Sequence, residues 1–229
     1  GESPSALMTR GYYRMPSDSM FIWPERWDKP FYDTSFSCSS YDNCHVPWGN
    51  RHEGTMRHVK NNDFISGQYV WTGFDYIGEP TPYGWPARSS YFGIIDLAGF
   101  PKDVYYMYQS EWRPDKAVLH LFPHWNWKEG EPVDIWAYYN NADEVELYLN
   151  GKSLGVRQKT DSTYHVSWRV PFTPGTLRAV SRLGGKEVLV KEIHTAGEPA
   201  RLVLTPDRSV IQADGSDLSF VTVDVCDID

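Results

Sequence analysis

Trp71, Asp75, Tyr76 and Glu79 fall in one short stretch and are the residues whose types and spacing could do chemistry together. A tryptophan beside carboxylates suits a sugar. The flat apolar ring accepts the C–H face of a pyranose, and acidic oxygens accept hydrogen bonds from its hydroxyls. The plainer alternative puts Trp71 in a core and leaves the acids to cap a loop; composition alone leaves both readings open. The element that must position these groups is Gln68 to Trp71. It is short, aromatic and β-branched, with Gly67 before it and Gly73 after it, which predicts a buried strand running straight into a loop.

The rest of the chain sets bounds. Its 229 residues, 41% hydrophobic and 15% aromatic, suffice for one large domain or two small ones with packed cores. A net charge of −8 and a pI near 5.3 offer no basic stripe for a phosphate backbone, so nucleic acid is not an expected partner. No apolar run is long enough to span a bilayer, and no membrane partner is expected. Cys38, Cys44 and Cys226 make no metal-ligand pattern with the lone His45, so neither a metal nor a cofactor is expected. Cys38 and Cys44 read equally as a loop disulfide and as free thiols. The opening Gly1-Glu2-Ser3 and the closing Cys226-Asp227-Ile228-Asp229 both read as cut ends, and the expectation is a piece of a longer protein.

Residues 1 to about 20 begin with a helical or turn-like segment, and Met15 to Trp48 is crowded with Pro, Ser, Asp and aromatics, which predicts a long loop. Trp23, Trp27, Phe31, Phe36 and Trp48 read as packing groups for that loop first and subsite linings second. His45 and His52 read as hydrogen-bonded structural histidines before substrate contacts. Gly49 to Asn62 carries Met56 and Val59 on one face of a helix. Lys102 to Trp112, just after Pro101, carries Val104, Tyr105, Tyr108 and Trp112 near helical spacing.

Past Arg113-Pro114-Asp115 the period becomes alternating. Strands are expected at 117–122, 133–139, 145–149, 153–158, 164–170, 177–183 and 187–194. Asn150-Gly151 and Gly184-Gly185 predict tight hairpin turns. Val145, Leu147 and Leu149 share one face of their strand, and Tyr164, Val166, Trp168 and Val170 one face of theirs. This is the pattern of an antiparallel immunoglobulin-like sandwich over residues 113–196. Trp125 and Trp127 read as interior plugs rather than as a carbohydrate-binding face. Gly197-Glu198-Pro199 reads as a linker, and residues 197–229, with Leu218, Phe220, Val221, Val223 and Val225, as the truncated start of a second sandwich.

The run Val70 to Tyr83 (Val-Trp-Thr-Gly-Phe-Asp-Tyr-Ile-Gly-Glu-Pro-Thr-Pro-Tyr), with Ser90 to Asp96 and Gly99 to Asp103, resembles the last barrel strand and helix of glycoside hydrolase family 2. Within that family it is most similar to the β-galactosidases of gut Bacteroidetes. The resemblance implies an α+β multidomain fragment: residues 1–112 as the C-terminal part of a TIM (β/α)8 barrel, followed by the two sandwich segments. The barrel part falls well short of the roughly 250 residues of a complete barrel. The implied activity is that of a retaining exo-β-glycosidase, a β-galactosidase, with a β-galactoside glycan as substrate and a periplasmic or secreted location.

The resemblance also assigns residues. Glu2, followed by a small-residue run and Arg10-Gly11-Tyr12-Tyr13, matches the catalytic nucleophile at the end of the seventh barrel strand, with Pro4 where the family has a small non-proline residue. Trp71 matches the floor of the sugar pocket. Asp75 and Glu79 are candidates for hydroxyl contacts or for support behind them. The partner acid of the family follows an Asn, and no Asn-Glu pair occurs in this chain, so the acid/base is expected outside it and the fragment is expected to be inert alone. A β-glucuronidase is the alternative within the family; its carboxylate-holding Asn-x-Lys belongs in the barrel, whereas Asn150-Gly151-Lys152 falls in a sandwich hairpin. A non-catalytic carbohydrate-binding or interaction module is the alternative outside it, and would show a coplanar row of exposed aromatics on one sandwich face.

Overall fold

The computed structural model describes residues 40–42, 49–80, 85–86 and 88–229. Two helices, α1 (His52–Lys60) and α2 (Asp103–Trp112), precede β1 (Leu119–Phe122), β2 (Pro132–Tyr139), β3 (Glu144–Leu149), β4 (Lys152–Arg157), β5 (His165–Pro171), β6 (Thr176–Leu183), β7 (Lys186–His194), β8 (Arg201–Pro206) and β9 (Val221–Cys226). Pairing is antiparallel throughout the named strands, in sheets ordered β1-β2-β5, β4-β3-β6-β7 and β8-β9. No helix among the described residues is long and apolar enough to cross a membrane.

The first two sheets form a sandwich because each strand alternates. In β3, Val145 and Leu147 are fully buried while Glu144, Glu146 and Tyr148 stay at the surface. In β5, Val166, Trp168 and Val170 point in while Ser167 and Arg169 point out. Register carries these faces across the ladders: Ile135 lies opposite Trp168, and Leu147 opposite Ala179. Each large side chain so buried contributes about 1.5–3 kcal/mol. Trp168 also ties the sheets together, its Nε1–H donating to the Gly155 carbonyl of β4 at 3.0 Å. Asn150-Gly151 (φ 50° and 81°) and Gly184-Gly185 (φ 56° and 77°) turn the hairpins with both residues left-handed, as a type I′ turn needs. Trp125 is fully buried against Phe172 and donates Nε1–H to the Thr173 carbonyl at 3.0 Å.

β2 is buried on both sides, and the helices explain why. Its outward residues Asp134, Trp136 and Tyr138 are covered by Tyr41 and by the apolar faces of α1 and α2, through Met56, Val104, Met107 and Tyr108. Tyr41 donates its hydroxyl to the Asp134 carbonyl at 2.5 Å and packs edge-on against Trp136. Two histidine–carboxylate pairs cross the same seam, Glu53 with His165 and Asp103 with His120 at 2.7 Å. His165 lies flat on Trp136 at 3.5 Å and His120 on Tyr106 at 3.8 Å.

Arg51 gives α1 no side-chain cap. The Asp42 carboxylate does instead, accepting from the backbone N–H of His52 (2.9 Å) and of Glu53 (2.8 Å), two donors the helix cannot satisfy itself. Burial pushes the Asp42 carboxyl up to about 6, with the Glu53 charge adding and the two N–H groups opposing. Met56 is buried as the helical spacing predicts, and Val59 is only partly covered.

Gln68 to Trp71 departs from the expected buried strand. Tyr69 is 98% exposed and Trp71 54%, and no ladder runs along Gln68 to Val70 among the described residues. Aromatic and β-branched composition suits a strand only where a neighbour supplies hydrogen bonds. Here the chain instead folds on itself through isolated bridges, Phe74 with Ile95, Ile77 with Ser89 and Ile95 with Pro101.

Candidate functional site

Residues 71–80 and 88–102 double back on each other and are held by backbone hydrogen bonds between the two limbs. Thr72 N–H donates to the Phe92 carbonyl (3.1 Å), Ile94 N–H to Thr72 (3.1 Å), Ile95 N–H to Gly73 (3.0 Å) and Asp75 N–H to Ile95 (2.9 Å). The two limbs approach so closely at Gly93 that a Cβ there would sit 2.1 Å from the Asp75 nitrogen and 2.5 Å from the Ile95 oxygen. Only glycine fits.

Asp75 lies at the centre of this loop. One carboxylate oxygen accepts from the Gly93 N–H at 2.8 Å and from Lys102 Nζ at 2.9 Å; the other lies 2.8 Å from the same Nζ. The side chains are 7% and 1% exposed, so this is a buried ion pair, and Lys102 donates further to the Tyr91 carbonyl at 3.3 Å. Burial raises the Asp75 pKa against the opposing pull of Lys102 and the Gly93 N–H. Asp75 therefore spends its oxygens on Gly93 and Lys102 inside the loop.

A second side-chain contact of this segment is made by Trp71. Its indole N–H donates to the Tyr76 hydroxyl oxygen at 3.1 Å, and the two rings meet edge to face at 6.2 Å and 87°. The Tyr76 hydroxyl donates onward to Glu79 at 3.4 Å. Trp71 and Glu79 are both exposed. A half-exposed indole with its N–H already engaged leaves a ring face for an apolar ligand surface, and an exposed carboxylate beside it supplies an acceptor. Among the described residues no group of His, Cys, Asp and Glu is gathered to hold a metal ion.

Glu2 lies outside the described residues, as do Cys38, Cys44, His45 and the loop aromatics Trp23, Trp27, Phe31, Phe36 and Trp48. His52 is buried at the head of α1, its Nδ1 2.9 Å from the Tyr108 hydroxyl, in a structural position. The structure thus brings Trp71 and Glu79 together through Tyr76, and pairs Asp75 with Lys102 instead. Lys102 and Gly93 are the groups that residue-by-residue reasoning passes over. A lone lysine between Pro101 and Asp103 reads as solvated, and nothing in the local sequence marks a glycine as a point of backbone contact. Asn126-Trp127-Lys128 is a further Asn-x-Lys run, in the β1–β2 connection; its Asn126 amide pairs with the Ala196 backbone, accepting at 2.9 Å and donating at 3.3 Å.

The sandwich carries no row of exposed aromatics. Among the described residues the strongly exposed rings are Phe64, Tyr69, Trp71, Phe74, Trp85, Phe100 and Trp112, all before β1, and Phe220 after β7. Trp127 is half-buried and stacked on His124 at 4.7 Å.

Comparison with known proteins agrees with the fold. A β-glycosidase from Bacteroides vulgatus superposes on the whole chain with a TM-score of 0.82 at 28% identity, over 31% of its own length. A glycosyl hydrolase family 2 member from Bacteroides cellulosilyticus superposes on 77% of the chain with a TM-score of 0.67 at 29% identity, over 27% of its length. The chain is a homologue of glycoside hydrolase family 2 enzymes. In particular, it is 71% identical over 226 residues to the β-galactosidase BoGH2A of Bacteroides ovatus, a match that takes in 99% of this chain and 26% of that protein. A putative β-glucuronidase of Formosa agariphila is 36% identical over 231 residues, covering 88% of the chain and 22% of that protein. The chain spans about a quarter of the length of these curated relatives. Residues 130–189, from the approach to β2 into β7, match the family described as "Domain of unknown function (DUF4982)".

Proposed function

We propose that the chain is part of a retaining exo-β-glycosidase that releases terminal β-galactose. In this reading residues 1–112 are the C-terminal part of a TIM barrel, 113–196 an immunoglobulin-like sandwich and 197–229 the start of a second sandwich. The observation that carries the reading is the 71% identity, along almost the whole chain, to a protein named as a β-galactosidase. The half-exposed Trp71 face on a braced loop is the geometry such a pocket floor needs.

Glu2 attacks the anomeric carbon while an acid from elsewhere in the full-length protein protonates the departing oxygen. The glycosidic C–O bond breaks and a glycosyl ester forms on Glu2. The same partner then takes a proton from water, which displaces Glu2 and restores the original configuration. In such enzymes the two carboxyl groups lie about 5–5.5 Å apart. Trp71 stacks on the sugar, and Glu79 accepts from a hydroxyl or steadies the residues that do.

The test is made in the full-length protein. Glu2→Gln, which removes the charge and the nucleophilic oxygen, abolishes kcat on an aryl β-galactoside and leaves the thermal transition in place. Glu2→Ala with azide and an activated galactoside yields a galactosyl azide of inverted configuration. Near-normal turnover by either variant removes Glu2 from the mechanism. The 229-residue chain alone is expected to hydrolyse nothing. A preference for aryl β-glucuronide over β-galactoside would move the assignment to a glucuronidase, the name carried by several relatives at lower identity. A non-catalytic sugar-binding role has less support, since the exposed aromatics lie off the sandwich faces.

A further inference from the structure

We infer that Tyr76 is a positioning residue that fixes the indole of Trp71 and is itself oriented by Glu79; the inference rests on the reading of Trp71 as a sugar platform. Trp71 is 54% exposed and lies in no ladder of a named strand, so side-chain packing holds its ring only in part. A tryptophan χ2 torsion is broad, and an indole so placed can swing unless something fixes its edge. The Tyr76 hydroxyl does so, accepting from Nε1–H at 3.1 Å with the rings edge to face.

The direction of this contact follows from donor counting. A phenol has one proton to give and lone pairs to receive with. Indole is a donor only, and a carboxylate accepts, so the hydroxyl proton goes to Glu79 at 3.4 Å and the oxygen's lone pairs face Trp71. Glu79 thus sets the polarity of the pair. Tyr76 can serve as a fixed point because its backbone is pinned on both sides. Its N–H donates to Ser90 Oγ at 3.2 Å, and its carbonyl accepts from Ser90 N–H at 2.9 Å and Ser89 Oγ at 3.3 Å. Its neighbour Asp75 is locked by Lys102.

Tyr76→Phe keeps the ring and removes only the oxygen. One neutral hydrogen bond at a partly exposed site is worth about 1 kcal/mol, or roughly a fivefold change. The stacking it protects exists in ground and transition states alike, so the loss appears in KM with kcat nearly unchanged. The full-length protein is assayed on an aryl β-galactoside as Tyr76→Phe, Trp71→Phe and the double variant. It is also labelled with 5-fluorotryptophan, and the Trp71 fluorine resonance is assigned by its loss in Trp71→Phe.

The expected result is a KM raised about fivefold in Tyr76→Phe, no further rise when Tyr76→Phe is added to Trp71→Phe, and a shifted or broadened Trp71 resonance. Glu79→Gln is read by the Trp71 resonance alone, which should stay at its parent position, since the amide oxygen replaces one acceptor of the Tyr76 proton with another. An unchanged KM and unchanged resonance in Tyr76→Phe overturn the inference, as does full additivity in the double variant, which would mean that Tyr76 does not act through Trp71. If Trp71→Phe leaves galactoside kinetics intact while Tyr76→Phe still moves the fluorine resonance, the positioning contact stands and the sugar-platform reading fails.

Discussion

Replacing Lys102 by methionine tests whether the loop that carries Trp71 is held by its buried ion pair. The substitution keeps an unbranched apolar stem and removes the ammonium, leaving Asp75, 7% exposed, with the Gly93 N–H as its remaining partner in the triad. Breaking a buried pair from one side costs about 3–5 kcal/mol. Asp75 can escape part of that by taking up a proton, and burial already raises its pKa, so the lower end, about 3 kcal/mol, is expected at pH 7. The sign with pH follows. With Lys102 gone the folded-state pKa of Asp75 rises further above its unfolded value. The deficit is therefore small below about pH 4, where the carboxyl is protonated in both states, and grows as pH rises. Removing both partners in Lys102→Met/Asp75→Asn leaves no stranded charge and should cost less than the single change. The assay is amide hydrogen exchange at Gly93, Asp75 and Ile95, together with the thermal midpoint; about 3 kcal/mol corresponds to roughly 6–12 °C for a unit of this size. A single variant that loses under about 1 kcal/mol with unchanged Gly93 exchange, or a double variant as unstable as the single, would refute the reasoning.

Other perturbations probe the supports of the same architecture. Gly93→Ala forces a Cβ to within 2.1 Å of the Asp75 nitrogen, so it should cost at least the about 1–3 kcal/mol of ordinary overpacking, measured by thermal midpoint, and, if the full-length protein is the proposed galactosidase, lower its kcat/KM. Asp42, with its carboxyl pushed from 3.8 to about 6, favours the fold when protonated. Its contribution is complete below about pH 4 and is lost as pH rises through about 6, on the order of 3 kcal/mol; denaturation midpoints of the parent and Asp42→Asn between pH 4 and 8 should differ in slope in that window. Gly151→Ala places a Cβ at φ 81° in the β3–β4 turn and should cost about 1–2 kcal/mol in denaturant midpoint, without affecting sugar hydrolysis.

The sandwich was legible because its signals are local. Alternation in Glu144–Leu149 and His165–Pro171 assigns faces residue by residue, and paired left-handed positions at Asn150-Gly151 and Gly184-Gly185 fix where the chain turns. The segment around Trp71 was legible in its residue types and misleading in its form. Its order comes from single bridges and from a carboxylate 27 residues from its lysine, and neither leaves a period in the sequence. Trp71, Asp75 and Glu79 could be picked out by chemistry. Their arrangement, a half-exposed indole and a carboxylate joined through Tyr76 with Asp75 buried against Lys102, depends on two limbs of chain folding back on each other. Glu2 is assigned through family resemblance alone, since an isolated glutamate in a polar stretch carries no pattern, and it lies outside the described residues.

The double covering of β2 has a consequence for module exchange. A sandwich whose sheets each keep one wet face can be moved as a unit, but β2 shows the helices a face of Trp136 and Tyr138 flanked by the His120 and His165 rings. A chimaera joined near residue 113 would bring that aromatic surface into water and strand Glu53 and Asp103 from their histidines. The sheets and the two helices are therefore best transplanted together, or the face rewritten with polar residues. New sequence enters more easily at the exposed Gly184-Gly185 turn, whose residues carry no side chains to lose.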